Sequence, residues 1–227
     1  MDRGDRVSPP RSNRTHGSLV ILLDRMERLV DSDMLPPGEK LLDYGCGNKP
    51  YRRLFAKKFK EHIGADFAGN SDADILIDQN GAVACEDASF DCVLSSQVLE
   101  HVTSPQQYLG EAQRVLKPGG SLIVSTHGIW PYHPDPTDFW RWTADGLRAE
   151  ITRAGFEVLN IEAVLGLESA ALQLWQDSTF ERLPRFLWPP YFWFFQTCIS
   201  LIERRRKVRF YNDAMIFVVL ARKPEVK

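Results

Sequence analysis

The sequence has few cysteines, and none of them form a pair at the spacing of a metal site. Its four cysteines, Cys46, Cys85, Cys92 and Cys198, are scattered along the chain, and three lie in apolar or strand-like surroundings. Small secreted proteins that depend on disulfides have many more cysteines. We therefore expect reduced, buried thiols, as in a cytoplasmic protein.

A strong charge of either sign is also missing. The 227 residues include 28 Lys and Arg against 30 Asp and Glu, a formal net charge of −2 at pH 7. Nucleic-acid-binding domains usually have a basic surplus, so we expect no nucleic-acid partner. The N-terminus lacks the apolar core of a signal peptide. Residues 1–14 have the polar composition of a disordered tail, and residues 15–227 suit one domain with a sizeable core.

The sequence has no unbroken apolar run of the ~20 residues that span a bilayer. Its most apolar stretch, residues 186–202, reads FLWPPYFWFFQTCISLI, is broken by Pro189 and Pro190, and has arginines on both sides. Aromatic residues with a basic rim are typical of an interfacial membrane helix. A helical pair that packs on its own domain or across a homodimer has a similar composition. Both interpretations of residues 186–209, peripheral membrane contact and protein packing, stay open.

Strand-like and helix-like segments alternate through most of the chain. Predicted strands cover residues 40–44, 61–66, 74–78, 90–95, 121–125, 156–164 and 214–221, and predicted helices cover 19–30, 51–59, 105–116 and 143–154. Ser104, Pro105 and Gln107 give the third helix a capping box and a proline at its first position. This alternation predicts a parallel α/β sheet with helices on both faces. Residues 165–213 interrupt it, and we expect a helical, aromatic-rich insertion there.

A glycine-rich turn follows the first strand, where residues 41–47 read LLDYGCG. Glycine permits a positive φ and lets the backbone approach a ligand closely. In open parallel sheets this turn binds nucleotide-like cofactors. Asp66 and Asp78 end the next two strands. A carboxylate in the first position can bind ribose hydroxyls and one in the second can meet an exocyclic amine, although either could instead cap a helix or face solvent.

Three segments in combination resemble class I S-adenosylmethionine-dependent methyltransferases: LLDYGCG at 41–47, ASFDCVLSSQVLEHV at 88–102 and VLKPGG at 115–120. The resemblance covers about residues 41–164. It implies a Rossmann-like sheet of seven strands, mostly parallel with an antiparallel last strand, and S-adenosylmethionine as the cofactor. The implied cofactor-binding residues are Gly45, Cys46 and Gly47 at the methionine end with Asp43 supporting their loop, Asp66 at the ribose, Asp78 at the adenine, and Ser96 and Gln97 closing the pocket.

The segment around Glu100 and His101 also resembles that of ubiquinone-pathway O-methyltransferases, which use a cluster of this kind for a divalent metal. Those proteins have a further acid where this chain has Gln97. We therefore expect no metal here and expect Glu100 to orient the loop.

The methyl acceptor is expected just past the fourth and fifth strands, at residues 126–142. Their sequence, THGIWPYHPDPTDFWRW, supplies histidines, acids, an arginine and aromatic residues that suit a polar, ring-shaped acceptor. His133 and Asp138 are the candidate general bases, ahead of His127. Alternatively, the aromatic residues only cover the sheet edge and His133 only hydrogen-bonds. Residues 133–143 resemble, more loosely, methyltransferases of bacterial polysaccharide and glycan biosynthesis.

We predict an enzyme that transfers a methyl group from S-adenosylmethionine to a small-molecule or glycan acceptor by in-line displacement, with oxygen as the expected acceptor atom. Holding nucleophile and methyl carbon in line can supply most of the acceleration. Two alternatives stay open: methylation of a membrane lipid or quinone intermediate, and a non-catalytic cofactor-binding scaffold. The expected location is the cytoplasm, with peripheral contact at the inner face of the membrane if the insertion binds lipid.

Overall fold

The computed structural model describes residue 7 and residues 9–135, 137–205 and 212–225. The strands are β1 (Gly38–Tyr44), β2 (Phe59–Asp66), β3 (Ile75–Leu76), β4 (Phe90–Ser96), β5 (Leu116–His127), β6 (Glu157–Gly166) and β7 (Ala214–Arg222). The helices are α1 (His16–Val30), α2 (Arg52–Phe55), α3 (Pro105–Val115), α4 (Ala144–Arg153), α5 (Leu167–Thr179) and α6 (Trp188–Arg205), with short 3₁₀ turns at Phe180–Arg182 and Arg185–Leu187.

The strands form one seven-stranded sheet in the order β3-β2-β1-β4-β5-β7-β6. The pairs among β1 to β5 are parallel, and β7 runs antiparallel to both β5 and β6. This confirms the predicted fold class. The strand order reverses between β1 and β4, and ligands of open α/β sheets bind at the carboxyl ends of the strands beside such a reversal.

Helices cover both faces of the sheet, because adjacent strand residues are apolar and point to opposite sides. Leu42 and Val93 belong to the core beneath α3 and α4. Leu41 and Cys92, their chain neighbours, belong to the core beneath α1, α2, α5 and α6. Burying one leucine stabilises the fold by about 1.5–3 kcal/mol, so the two cores fix the register of the central strands.

The predicted helix starts at Ser104 and Thr143 are confirmed. The Ser104 hydroxyl accepts a hydrogen bond from Gln107 N at 3.4 Å, and Pro105 occupies the first helical position of α3. The Thr143 hydroxyl accepts from Gly146 N at 3.0 Å at the start of α4. Each cap satisfies an amide that the helix itself leaves without a partner.

Two elements are shorter than predicted. The predicted helix over residues 51–59 ends at Phe55, because Phe59 is instead the first residue of β2 and pairs with Gly38 of β1. Strand β3 has only two residues, Ile75 and Leu76. Asp78 therefore lies two residues beyond the end of its strand, whereas Asp66 ends β2 as predicted.

Residues 9–14 pack on the domain, although the sequence predicted a disordered tail as far as Arg14. The Arg14 carbonyl accepts hydrogen bonds of 2.8–3.0 Å from the side-chain amides of Gln173, Gln176 and Gln196. These amides belong to α5 and α6, and a prediction from the local composition of residues 1–14 does not take such distant partners into account. The prediction is wrong for residues 9–14, and residues 1–6 and 8 lie outside the described residues.

The insertion before β7 is helical, as predicted. Helix α5 contacts α6, and α6 contacts α1. Pro189 and Pro190 lie in the first turn of α6, where proline is tolerated because its missing N–H has no helical acceptor. The chain leaves the sheet at Gly166 and returns at Ala214, and these two residues are partners in the β6–β7 ladder. Within the described residues, every helix is too short or too polar to cross a bilayer.

Candidate active site

The glycine turn after β1 is closed against β2 and against the loop after β4. Gly45 N and Cys46 N donate to the Ala65 carbonyl at 2.8 and 3.1 Å, and Gly45 and Gly47 have positive φ values of 80° and 51°. A Cβ atom on Gly45 would lie 2.6 Å from Cγ2 of Val98. Only glycine fits this position, so the turn exposes backbone where another residue would place a side chain.

Asp66 connects the end of β2 to the glycine turn. Its carboxylate accepts hydrogen bonds from Gly47 N at 3.0 Å, Asn70 Nδ2 at 2.7 Å and Phe67 N at 2.8 Å. Asn70 also donates to the Gly47 carbonyl at 2.8 Å. Sequence reasoning missed Asn70, whose only local signal is its place after Gly69 in a polar turn. Asp66 therefore reaches the glycine turn, and its contact with a ribose stays a prediction.

Asp43 forms a buried pair with a histidine that sequence reasoning also missed. Its Oδ2 lies 2.9 Å from His62 Nε2, and both side chains are buried. Burial raises the pKa of Asp43, and the hydrogen bond from His62 opposes that rise. Asp43 thus contacts the neighbouring strand β2, and its support of the glycine turn stays a prediction.

Asp78 is exposed and shapes the loop after β3. Its Oδ1 accepts hydrogen bonds from Asn80 N and Ala82 N, both at 2.8 Å. The Tyr44 hydroxyl donates a hydrogen bond to the carbonyl of Gly81 in the same loop. The loop is therefore held beside the end of β1, and contact between Asp78 and an adenine stays a prediction.

Ser96 and Gln97, at the end of β4, are held by β5. The Ser125 hydroxyl lies 3.0 Å from the Ser96 hydroxyl and 3.1 Å from Gln97 Nε2. Gln97 has a positive φ of 58°, which is uncommon for a residue with a side chain. The chain turns sharply here and brings Val98 beneath Gly45.

Glu100 is fully buried under the acceptor segment. Its Oε2 accepts from the Thr126 hydroxyl at 2.8 Å, and its Oε1 lies 3.3 Å from His127 Nδ1. Burial raises the pKa of Glu100 to about 7, and burial lowers the pKa of His127 to about 2. Between about pH 2 and pH 7 both groups are therefore uncharged, and the pair is not a salt bridge.

Three imidazole rings meet above Glu100. The ring centroids of His101 and His133 are 5.7 Å apart, and those of His127 and His133 are 6.0 Å apart. His127 stacks on Trp130 with a centroid distance of 4.5 Å. His127 is buried, whereas His101 and His133 are partly exposed.

Asp138 holds the acceptor segment in shape. It accepts from His133 N at 2.6 Å and from two nitrogens of Arg141 at 2.5 Å. Arg141 also donates to the carbonyls of Trp130 and Pro131 at 2.8 and 2.7 Å. The hydrogen bonds from Arg141 lower the pKa of Asp138 to about 2, which makes it a weak proton acceptor.

Seven of the ten predicted site residues therefore form two adjoining groups at the carboxyl edge of the sheet. One comprises Asp43, Gly45, Cys46, Gly47 and Asp66; the other comprises His133 and Asp138. The loop after β4 joins them, because Val98 contacts Gly45 while the Glu100 carbonyl accepts from Phe139 N and Trp140 N. Across the described ranges, no three or more His, Cys, Asp and Glu residues come together in a way that could hold a metal ion.

A family model described as a methyltransferase domain matches residues 20–161. The chain belongs to this methyltransferase family. The family match confirms the predicted class of enzyme and its cofactor, S-adenosylmethionine.

Relatives of this methyltransferase agree with the family match. A ubiquinone biosynthesis O-methyltransferase of Cereibacter sphaeroides is 36% identical over 113 residues, which are 42% of this chain and 46% of that protein. The chain thus matches less than half the length of this curated relative. Among solved structures, an S-adenosylmethionine-dependent methyltransferase of Mesorhizobium loti has a TM-score of 0.58 and 16% identity over 89% of this chain and 98% of its own. The [4+2]-cyclase SpnF also has a TM-score of 0.58, with 22% identity over 90% of this chain and 82% of its own; these two structures show the fold alone.

The glycine turn of this methyltransferase fits S-adenosylmethionine. Its backbone has no Cβ at Gly45 or Gly47, and a carboxylate adjoins it at Asp66. A carboxylate has about four lone-pair positions, and N–H groups already use three of those of Asp66. The two hydroxyls of a ribose diol would therefore replace one of these donors, and Asn70 is the only one of the three donors that belongs to a side chain.

Proposed function

We propose that the protein transfers a methyl group from S-adenosylmethionine to a hydroxyl oxygen of a small-molecule or glycan acceptor. The observation that supports this is the cluster of three imidazoles over Glu100, next to the glycine turn. The aromatic rings of Trp130 and Tyr132 adjoin this cluster in sequence, and Tyr132 is 77% exposed. Aromatic faces suit the C–H surfaces of sugars and other rings, and imidazoles suit their hydroxyls.

The cofactor supplies a methyl group on a positively charged sulfur, which is already activated for displacement. The chain has to hold the acceptor oxygen in line with that methyl group and receive the hydroxyl proton. We propose that His133, which is partly exposed, is the general base that accepts this proton. Asp138 acts as a positioning residue, because its hydrogen bond to His133 N fixes the backbone of the base.

A labelled methyl-transfer screen tests the assignment. Wild-type protein with S-adenosylmethionine carrying a labelled methyl group is offered small hydroxylated molecules and glycan extracts. His133→Ala should lower kcat by about 10²–10⁴, the usual contribution of a general base. Asp138→Asn should lower kcat less, because the imidazole of His133 is still present and only its positioning is weakened. A His133→Ala variant with full activity would contradict the role of this residue.

A second candidate function is methylation of a membrane lipid or quinone intermediate. The observation that favours it is the set of exposed aromatic residues on the insertion, which leaves the sheet at the edge where the acceptor segment lies. The relative from Cereibacter sphaeroides is named for ubiquinone biosynthesis. Transfer to a lipid extract but not to water-soluble acceptors would select this function over the first.

A non-catalytic cofactor-binding scaffold is the remaining alternative. Calorimetry with S-adenosylmethionine on wild type, Gly45→Arg and Asp66→Ala distinguishes these cases. Binding without transfer to any acceptor class would favour the scaffold, and absence of binding by wild type would reject all three. We propose the cytoplasm as the location, where the four free cysteines stay reduced.

A further inference from the structure

Exposed apolar side chains lie along helix α6 and on the 3₁₀ turn that precedes it. Phe186, Leu187, Trp193, Phe194 and Leu201 are between 38% and 76% exposed. The opposite side of α6 is buried through Phe192, Phe195, Gln196 and Ile199. We call the exposed set the α6 stripe. An 18-residue helix is about 27 Å long, so the stripe is an extended surface and not an isolated exposed ring.

Positive charge lies at both ends of the α6 stripe. Arg182 and Arg185 precede the helix, and Arg204 and Arg205 end it; all four are exposed. The one acid of α6, Glu203, is turned inward, where its Oε1 accepts from the Ser169 hydroxyl at 2.6 Å. The described part of α6 therefore offers aromatic residues and arginines but no outward carboxylate.

This distribution favours an anionic bilayer over a second copy of the chain. In a symmetric dimer through the α6 stripe, an antiparallel arrangement would place Arg182 and Arg185 against Arg204 and Arg205 of the second copy, and a parallel one would place each arginine pair against itself. Both arrangements oppose like charges. A helix with Trp and Phe on one face and arginines at the rim is instead suited to lie in the headgroup region of a bilayer.

The α6 stripe is connected to the edge of the sheet where the acceptor segment lies. Gly128 N and Ile129 N donate to the carbonyls of Met215 and Ala214, both at 2.8 Å, at the start of β7 where the insertion ends. Trp130 packs against the buried core cluster that contains Ile199 of α6. The acceptor segment and α6 therefore pack on one continuous core at this edge of the sheet.

We propose that the α6 stripe binds the surface of an anionic membrane and so brings an acceptor held in that membrane to His133. Membrane binding itself is independent of catalysis, and only the role of bringing an acceptor rests on the proposed function. The proposal commits to lipid headgroups with negative charge as the partner.

Co-sedimentation of the full chain with large unilamellar vesicles tests the proposal. Vesicles of phosphatidylcholine alone are compared with vesicles containing phosphatidylglycerol. Wild type should bind the anionic vesicles, and each of Trp193→Glu/Phe194→Glu and Arg204→Glu/Arg205→Glu should weaken binding at least about tenfold. The matched control is Val20→Glu/Met34→Glu, because these side chains are similarly exposed, at 40% and 42%, and do not belong to the stripe; it should bind as wild type does.

Equal binding by the stripe variants and wild type would overturn the proposal, as would absence of wild-type binding to anionic vesicles. A wild-type dimer in light scattering that Trp193→Glu/Phe194→Glu converts to monomer, without vesicle binding, would identify a homodimer surface instead and also overturn it. Calorimetry with S-adenosylmethionine on the same variants separates the two proposals. If a stripe variant keeps its affinity for S-adenosylmethionine but no longer binds vesicles, the effect of the substitution is confined to the stripe. If wild type binds vesicles but transfers no methyl group, only the proposed function is rejected.

Discussion

Gly45 combines two constraints that can be separated by substitution. Gly45→Ala places a side chain on a residue whose φ is +80° and puts its Cβ 2.6 Å from Val98. Gly69→Ala, the control, also places a side chain on a residue with a positive φ, +105°, but its Cβ has no atom within 4 Å. The control should lose about 1 kcal/mol of stability from backbone strain alone. Gly45→Ala should lose more and should also weaken S-adenosylmethionine binding at least about tenfold, because Val98 and the turn must move apart. Urea unfolding and calorimetry measure the two effects, and similar losses for both variants would contradict the steric argument.

Glu100 should make stability depend on pH. Burial raises its pKa from 4.5 to about 7, so the fold favours the protonated form. Its favourable contribution is complete below pH 4.5 and is lost as the pH rises through about 7. Glu100→Gln stays neutral at every pH, so wild type should lose about 2–3 kcal/mol of unfolding free energy relative to this variant between pH 5 and pH 8.5.

Urea titrations of wild type and Glu100→Gln at the two pH values measure this difference. Glu61→Gln makes the same chemical change at an exposed position on β2 and serves as the control. A constant gap between wild type and Glu100→Gln across the pH range would show that Glu100 does not change its ionisation in the fold.

At the scale of elements, Gln196 joins α6 to the start of α1. Its Oε1 accepts from Gly17 N at 2.6 Å, and its amide donates to the Arg14 carbonyl at 2.8 Å. Gln196→Leu would leave the buried Gly17 amide without its partner, and such a group costs about 1–3 kcal/mol. Thermal and urea unfolding should show this loss. Ser178→Ala, which removes a hydroxyl bonded only within α5, should stay within about 0.5 kcal/mol, and a similarly small effect for Gln196→Leu would contradict the role of this residue.

Elements with a local sequence signal could be predicted, whereas contacts between residues far apart in the sequence could not. The strand alternation, the cap at Ser104 and the acid at the end of β2 all depend on neighbouring residues. His62 contacts Asp43 only because β1 and β2 pair in one register, and Asn70 reaches Gly47 only because a turn folds back after Asp66. Contacts of this kind depend on long-range pairing, which periodicity and composition do not contain.

At the scale of the whole molecule, cofactor binding should stabilise the fold. A ligand at 100 times its Kd adds about 2.7 kcal/mol, which for a chain of this size corresponds to a rise in Tm of about 5–10 °C. Scanning calorimetry with and without S-adenosylmethionine should show the rise in wild type. Gly45→Arg should show none, since an arginine side chain would occupy the turn. An equal rise in both proteins would place the cofactor elsewhere.

The pairing of Gly166 with Ala214 has a consequence for how the protein can change. Because the two residues are opposed in an antiparallel ladder, a hairpin turn of only two residues could join them. Residues 167–213 can therefore differ in length and composition while β6 and β7 stay paired, provided that the replacement still covers the apolar core beneath α5 and α6. Such a change would alter the surface at this edge of the sheet, while the glycine turn on β1, four strands away from β6, keeps its place.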